Sequence, residues 1–357
     1  MNFKEFTAGT DDNSRRLDKV IRKLIPEGGL SSLYSALRKG LIKVNDKKAD
    51  ASQKIMAGDK IKVAEFLINS SLNTGATSDS ATTGTSQIQF ETIFNNEHLR
   101  IINKPYNVNV HGENSLANKI EELYKTENHE ASLSFKPGPL HRLDKKTTGL
   151  LAFSNSLLGA TWFTQAIEEK RIRKFYVGIC QGRVESEQTW QDFIEEDKNK
   201  TGSFYTMKIS SKVAASDDRS GTTGDECDAS NGAKCDKVAS AGGTDNAGKA
   251  ITICTPLAYG KLRTEPVTLC QFEILTGKKH QIRCQSSHHG HPLLGDTAYN
   301  SKKINAGQDF FLHAAKLIFP NNNPLNLPES LTAKIPPEFT KFLNLSLIKW
   351  DGSLIIK

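Results

Sequence analysis

No apolar run in this 357-residue chain approaches the roughly 18 residues that a membrane-crossing helix needs, so no membrane span is expected. The first seventeen residues, MNFKEFTAGTDDNSRRL, are polar, carry acids and lack the apolar core of a signal peptide. Six cysteines, at 180, 227, 235, 254, 270 and 284, form no C-x-x-C pair and keep no regular spacing. Four of them lie in strand-like or helical contexts, which predicts free thiols in a reducing compartment rather than a disulfide framework. These absences point to a cytoplasmic protein. There is also no internal repeat.

Positive charge, by contrast, is plentiful and uneven. The chain carries a formal net charge of +7, yet residues 15–63 alone hold thirteen Lys and Arg against five Asp and Glu. That fifty-residue stretch therefore has an excess of eight positive charges, and the rest of the chain is close to neutral. Such concentration is the electrostatic footprint of a polyanion partner such as RNA, the bland alternative being a solvated face on a small helical domain.

Three segments are too polar to bury a core. Residues 1–14 read as a flexible tail, 69–87 (NSSLNTGATSDSATTGTSQ) as a flexible linker, and 214–249 as a long surface insertion that contains Cys227 and Cys235. The linker predicts that the units on either side move independently. Residues 15–66 read as helix, helix, then short strands. Leu17, Val20, Ile21 and Leu24 fall at helical spacing, as do Leu33, Ala36 and Leu37, with Gly40 stopping the second helix before the strand LIKVN. Residues 88–357 alternate strands and helices. Two short strands flank a turn at Asn95-Asn96, and a helix over 156–173 has Ser156 as N-cap and Leu158, Trp162 and Ala166 on one face. RKFYVGIC and VTLCQFEIL have the period-two alternation of strands. The fold class expected is α+β, with a mixed, largely antiparallel sheet and a small N-terminal α/β unit.

The stretch GPLHRLDKKTTGLL places one acid, Asp144, among Arg142, Lys145 and Lys146, directly before an apolar strand. Neighbouring cations hold a carboxylate ionised. An ionised, oriented carboxylate is what nucleophilic or electrostatic catalysis at a sugar carbon requires, although an ion-paired surface loop has the same local sequence. In KFYVGIC, Phe175, Val177 and Ile179 alternate with Tyr176. If the former are core, Tyr176 points into a cleft against a planar ligand. In LTGKKHQIRCQSSHHGHPLLGD, Arg283 near the start of a helix is a candidate buried partner for Asp144. His288, His289 and His291 have no acid or cysteine at metal-ligand spacing, so no metal is expected there. INKPYNVNVHGE reads as a strand ending at Lys104 and an extended segment suited to lining a groove.

Two resemblances follow from these residues. RLDKVIRKL, SSLYSALRKGLIKVNDKKAD and AGDKIKV resemble the alpha-L RNA-binding module of small-subunit ribosomal protein four. Its R-x-G-x-I-x-V-N core is matched by Arg38, Gly40, Ile42, Val44 and Asn45. NKPYNVNVHG, HRLDKKTTGLL, KFYVGIC, LTGKKHQIR, GHPLLGD and FFLHAAKLIF together resemble the RluA-type family of RNA pseudouridine synthases, in its large-subunit ribosomal branch. The resemblance implies isomerisation of uridine to pseudouridine in large-subunit ribosomal RNA, without cofactor or metal. The oligomeric state is not legible in the sequence, and a monomer is assumed. By that likeness Asp144 is the catalytic carboxylate, Tyr176 the cleft aromatic and Arg283 the partner of Asp144, while Arg142 fills the gap left by a flipped nucleotide. His141, Lys104, Lys278 and His280 are expected to contact RNA in the cleft, and Arg15, Arg16, Arg38, Lys39 and Lys43 in the basic unit. Two positions depart from the family pattern: Lys278, where Arg is usual, loses bidentate geometry, and Gln285, where His is usual, alters packing. Transfer RNA as the substrate, a non-catalytic ribosome-binding protein and a glycoside hydrolase are the competing readings. The last lacks a second acid near any motif.

Overall fold

The computed structural model describes residues 1–25, 29–69, 88–127, 132–197, 206–210, 248–304 and 307–356. The chain begins with β1 (Phe3–Thr7), β2 (Arg15–Arg16), α1 (Leu17–Leu24) and α2 (Leu30–Arg38). It continues through β3 (Ile42–Val44), β4 (Lys47–Lys48), β5 (Lys54–Ile55), β6 (Lys60–Ala64) and α3 (Glu65–Asn69). Leu17, Val20 and Ile21 of α1 and Leu33, Ala36 and Leu37 of α2 bury the faces that their spacing predicts, against Ile42, Val44, Ile61 and Val63 of the small sheet. Gly40 has φ +70°, a left-handed conformation that ends α2 at little cost for glycine.

Residues 1–14 are not a tail. Phe3–Thr7 pairs antiparallel with Lys60–Ala64 as the outer strand of the small sheet, in the order β1-β6-β3-β4. The polar composition misled because an edge strand with one solvated face needs few apolar residues. Asp12 is wholly buried, and its carboxylate clasps a loop of the second unit. Oδ1 accepts from Ser132 Oγ (2.8 Å), Ser134 N (3.1 Å) and Ser134 Oγ (2.5 Å), and Oδ2 from Leu133 N (2.7 Å) and Gly9 N (2.9 Å). Leu133 packs on the core of the N-terminal unit, and Arg15 Nη1 donates to Ser134 Oγ (2.7 Å). The two units are therefore in intimate contact, contrary to the independence that the linker composition predicts. Most of the linker, residues 70–87, lies outside the described residues.

The second unit contains β7 (Glu91–Asn95), β8 (Leu99–Lys104), α4 (Leu116–Glu127), β9 (Thr148–Ser154), α5 (Leu157–Glu168) and β10 (Arg173–Gln181). It goes on with β11 (Gln188–Glu196), β12 (Met207–Ile209), β13 (Gly248–Leu262), β14 (Glu265–Ile274) and α6 (Gln281–His288), then β15 (Leu312–Ile318), β16 (Ser330–Thr332) and α7 (Pro337–Leu345). One ten-stranded sheet runs β12-β11-β13-β14-β10-β15-β9-β8-β7, with β16 on β15. Every pairing is antiparallel except β15 with β9, so the α+β class with a mixed, largely antiparallel sheet holds. The expected insertion ends earlier than predicted, because Gly248 and Lys249 already pair with Ile194 and Phe193. Residues 211–247 lie outside the described residues.

The sheet is covered on both faces. Leu151, Phe153, Tyr176, Phe272 and Leu312 pack with Leu116 and Ile120 of α4 and Ile282 of α6. On the other face Leu150 and Ala152 meet α5, while Val177 and Ile179 meet Phe339 and Phe342 of α7. Ser156 caps α5 as predicted, its Oγ accepting from Gly159 N at 3.0 Å. The buried face of α5 is Gly159, Trp162, Phe163 and Ala166, whereas Leu158 is exposed and the helix ends at Glu168.

Candidate active site

Asp144 sits in the loop between Pro139, which bridges to Phe153, and β9. Lys104, the last residue of β8, holds this loop from below. It is fully buried, and its ammonium donates to the carbonyls of Pro105 (2.9 Å), Lys145 (2.8 Å) and Thr147 (2.9 Å). Burial lowers its pKa to about 7, with the Asp144 charge acting the other way. All three hydrogens of the protonated amine are nonetheless engaged by carbonyls, which favours the charged form. The expectation that Lys104 contacts RNA is not met: this lysine is spent inside the fold, where it ties down the loop that carries Asp144. Just beyond these contacts, in β9, Gly149 has φ +107°, and a Cβ there would stand 2.2 Å from Ala314 O. Only glycine permits the parallel approach of β9 to β15 at this point.

The sequence-adjacent cations do not neutralise Asp144. Arg142 and Lys145 are exposed, and Lys146 pairs with Asp309. Two residues of the distant LTGKKHQIR segment face it instead. Arg283 Nη1 donates to Asp144 Oδ2 at 3.2 Å, and His280 Nε2 lies 3.7 Å from the same oxygen. Arg283 is itself gripped by Asp296, Nε to Oδ2 at 2.6 Å and Nη2 to Oδ1 at 2.9 Å, a bidentate pair. Its guanidinium carbon lies 4.5 Å from the Phe310 ring centroid and 4.9 Å from that of Tyr299. Burial works against this charge, but Asp296 and then Asp144 outweigh it and hold the pKa above its usual value. The Asp144 side chain keeps 15% of its surface exposed, enough to meet a ligand.

His280 is neutral. Burial lowers its pKa to about 4 against the pull of Asp144. Its Nδ1 lies 2.8 Å from Tyr299 Oη, which already accepts from Met207 N (2.8 Å). This contact holds the ring with Nε2 on the side of Asp144. Tyr299 and Asp296 went unnoticed in the sequence. The available signal was an acid and an aromatic three residues apart, directly after GHPLLG.

Tyr176 alternates with Phe175, Val177 and Ile179 as expected, and it too is buried. Burial, and secondarily Asp144, push its pKa upward, so it stands beside Asp144 as a neutral phenol and is no resting-state base. His141 does not reach outward. Its Nε2 accepts from Ala152 N (3.1 Å), its ring stacks on Phe163, and burial lowers its pKa to about 3. Arg142 and Lys278 are exposed at the rim. In the N-terminal unit Arg38 and Lys39 are exposed and Lys43 lies over the Phe3 ring, whereas Arg16 pairs with Asp18 and Arg15 is turned to the interface. Gln285 is buried, bonded to Thr252 and Asp192, and His289 stacks on Trp190 with Nε2 3.0 Å from Asp192. Among the described residues no three His, Cys, Asp or Glu side chains converge as metal ligands do. No helix among them is long and apolar enough to cross a membrane.

Residues 98–288 match the family model described as RNA pseudouridylate synthase, which covers more than half of the chain and includes Asp144, Tyr176 and Arg283. The chain belongs to the RNA pseudouridylate synthase family. Similar curated members include the ribosomal large subunit pseudouridine synthase C of Rickettsia prowazekii, 28% identical over 91% of this chain and 95% of that one. The protein of the same name from Vibrio cholerae is 24% identical over 93% and 94%. Among solved structures, human RNA pseudouridylate synthase domain containing 4 has the same fold, with a TM-score of 0.54 and 23% identity over 73% of this chain and 94% of that chain. The protein is thus an RNA pseudouridine synthase, an isomerase.

Proposed function

We propose that this enzyme isomerises uridines of large-subunit ribosomal RNA, with Asp144 acting on a nucleotide turned out of its stack. The observation that carries this reading is the carboxylate of Asp144, part-exposed and bound by an Arg283 that Asp296 locks in place. The N1–C1′ bond breaks, the uracil rotates, C5 bonds to C1′, the C5 proton leaves and N1 gains one. Asp144 serves C1′ either as nucleophile or as the charge that stabilises it. Arg283 binds and orients the carboxylate, and the neutral His280 lies beside it. Tyr176, held as a neutral phenol, packs against the base. Turning the nucleotide out costs a few kcal/mol, which contacts from the rim cation Arg142 and from the exposed cations of the basic unit offset. The names of the curated relatives support ribosomal RNA over transfer RNA. The test is a map of pseudouridines in large-subunit RNA from cells with and without the gene. Sites that vanish in the deletion and return with wild type, but not with Asp144→Asn, support the proposal. Sites lost only from transfer RNA would overturn the substrate.

A further inference from the structure

Lys174 is a largely buried residue whose ammonium has no counterpart among the described residues. It lies in β10, two residues before Tyr176 and on the same face, and only 6% of it is exposed. Its neighbour Arg173 faces the other way and takes both oxygens of Glu273, Nε at 2.7 Å and Nη2 at 3.0 Å, so that carboxylate is committed. Among the described residues the Lys174 ammonium has no hydrogen bond or ion pair. The other buried charges near the site balance: Lys104 and Arg283 against Asp144 and Asp296. Burial lowers the pKa of Lys174 to about 8, which leaves most of it protonated at neutral pH.

The position of this ammonium gives it a use. Its Nζ stands 4.0 Å from where a Cβ on Gly277 would be, so it lies against the turn that leads from β14 into α6 and Arg283. Burial and then the charge of Lys174 lower the pKa of His141, three residues before Asp144. The ammonium thus lies against the segment that delivers the arginine and is felt by the segment that delivers the carboxylate. A side chain at 277 would cover it, and glycine leaves it reachable.

We infer that Lys174 is a phosphate subsite, which takes a non-bridging oxygen of the RNA backbone beside the nucleotide that enters the cleft. This rests on the reading of the site proposed above. A base carbonyl would not offset a buried ammonium, whereas a phosphodiester brings the missing negative charge to a compact cation. The experiment is a salt titration of binding by wild type and Lys174→Met, with a large-subunit RNA fragment that contains a target uridine. Thermal melts of both free proteins accompany it. Met keeps the length of the side chain and removes the charge. Expected is weaker binding with a log–log salt slope smaller by about 0.7–0.9, together with a melting temperature equal to or above wild type, because an unpaired buried charge is gone. A slope and affinity matching wild type would overturn the subsite. So would a melting temperature several degrees lower, since the ammonium would then be satisfied inside the free protein. Wild type that binds the fragment but never converts it refutes the proposed function instead, and the slope comparison still decides Lys174.

Discussion

At the scale of single residues, the site is organised by Arg283 rather than by the cations beside Asp144 in sequence. Asp144→Asn removes the charge and keeps the volume. It is expected to abolish pseudouridine formation while RNA affinity and melting temperature stay close to wild type, and near wild-type turnover would remove Asp144 from its role. Asp296→Asn breaks a bidentate buried pair and should cost roughly 3–5 kcal/mol, because a guanidinium is left short of charge. In double-mutant cycles with Arg283→Met, the coupling to Asp296 should exceed the coupling to Asp144, in line with two bonds of 2.6 and 2.9 Å against one of 3.2 Å. Equal couplings would contradict the geometry. Three imidazoles add a pH signature. Burial lowers His280 to about 4, His141 to about 3 and His313 to about 4. Between pH 6.5 and about 4 the unfolded chain takes up protons that these native rings refuse, so their stabilising contribution is full above 6.5 and shrinks on acidification. Each group contributes ~1.4 kcal/mol per pH unit at most, so melts from pH 7 down to 4.5 should fall steeply. A flat profile would mean that the native imidazoles protonate.

At the scale of elements, the loop that carries Asp144 is fixed where it enters β9 by features that carry no reactive group. Gly149→Ala drives a Cβ into Ala314 O at a φ of +107°. It should destabilise the protein by about 2 kcal/mol or more and lower kcat, as the junction of β9 and β15 shifts. Lys104→Met leaves two carbonyls of the loop, those of Lys145 and Thr147, without their donor and should reduce kcat much more than it raises KM. An effect confined to RNA affinity would restore Lys104 to the RNA-binding role that its sequence position suggests. The strands themselves were legible from period-two alternation, and α5 from its cap at Ser156. The buried face of α5 was misjudged at Leu158, since three residues four apart fit two adjacent stripes and only the neighbouring strands select one.

At the scale of the whole molecule, the basic unit and the catalytic unit meet through Asp12 and the loop that leads into the Asp144 segment. Deleting residues 1–87 removes a stretch with eight excess positive charges and should lower the salt slope of RNA binding by roughly 0.7–0.9 per lost phosphate contact. It also strips Leu133 and Ser134 of their partners, so the remaining unit should melt below the full chain. Asp12→Ala isolates this second effect. Hydrogen exchange at the amides of Leu133 and Ser134 should quicken while the salt slope stays put, and unchanged protection would show that the clasp does not hold the units together in solution.

The sequence by itself determined the strand and helix alternation, the basic concentration near the N-terminus and the HRLD and HQIR motifs, because these are properties of neighbouring residues and local periodicity. Tertiary structure decided what no local pattern encodes. Asp144 finds Arg283 from 139 residues away, Lys104 reaches the carbonyl of Lys145 41 residues on, and Asp12 binds Ser134 across 122. Periodicity reports which face a side chain takes, whereas the partner it meets there depends on how distant segments pack. A buried charge is stable only where that packing supplies its complement.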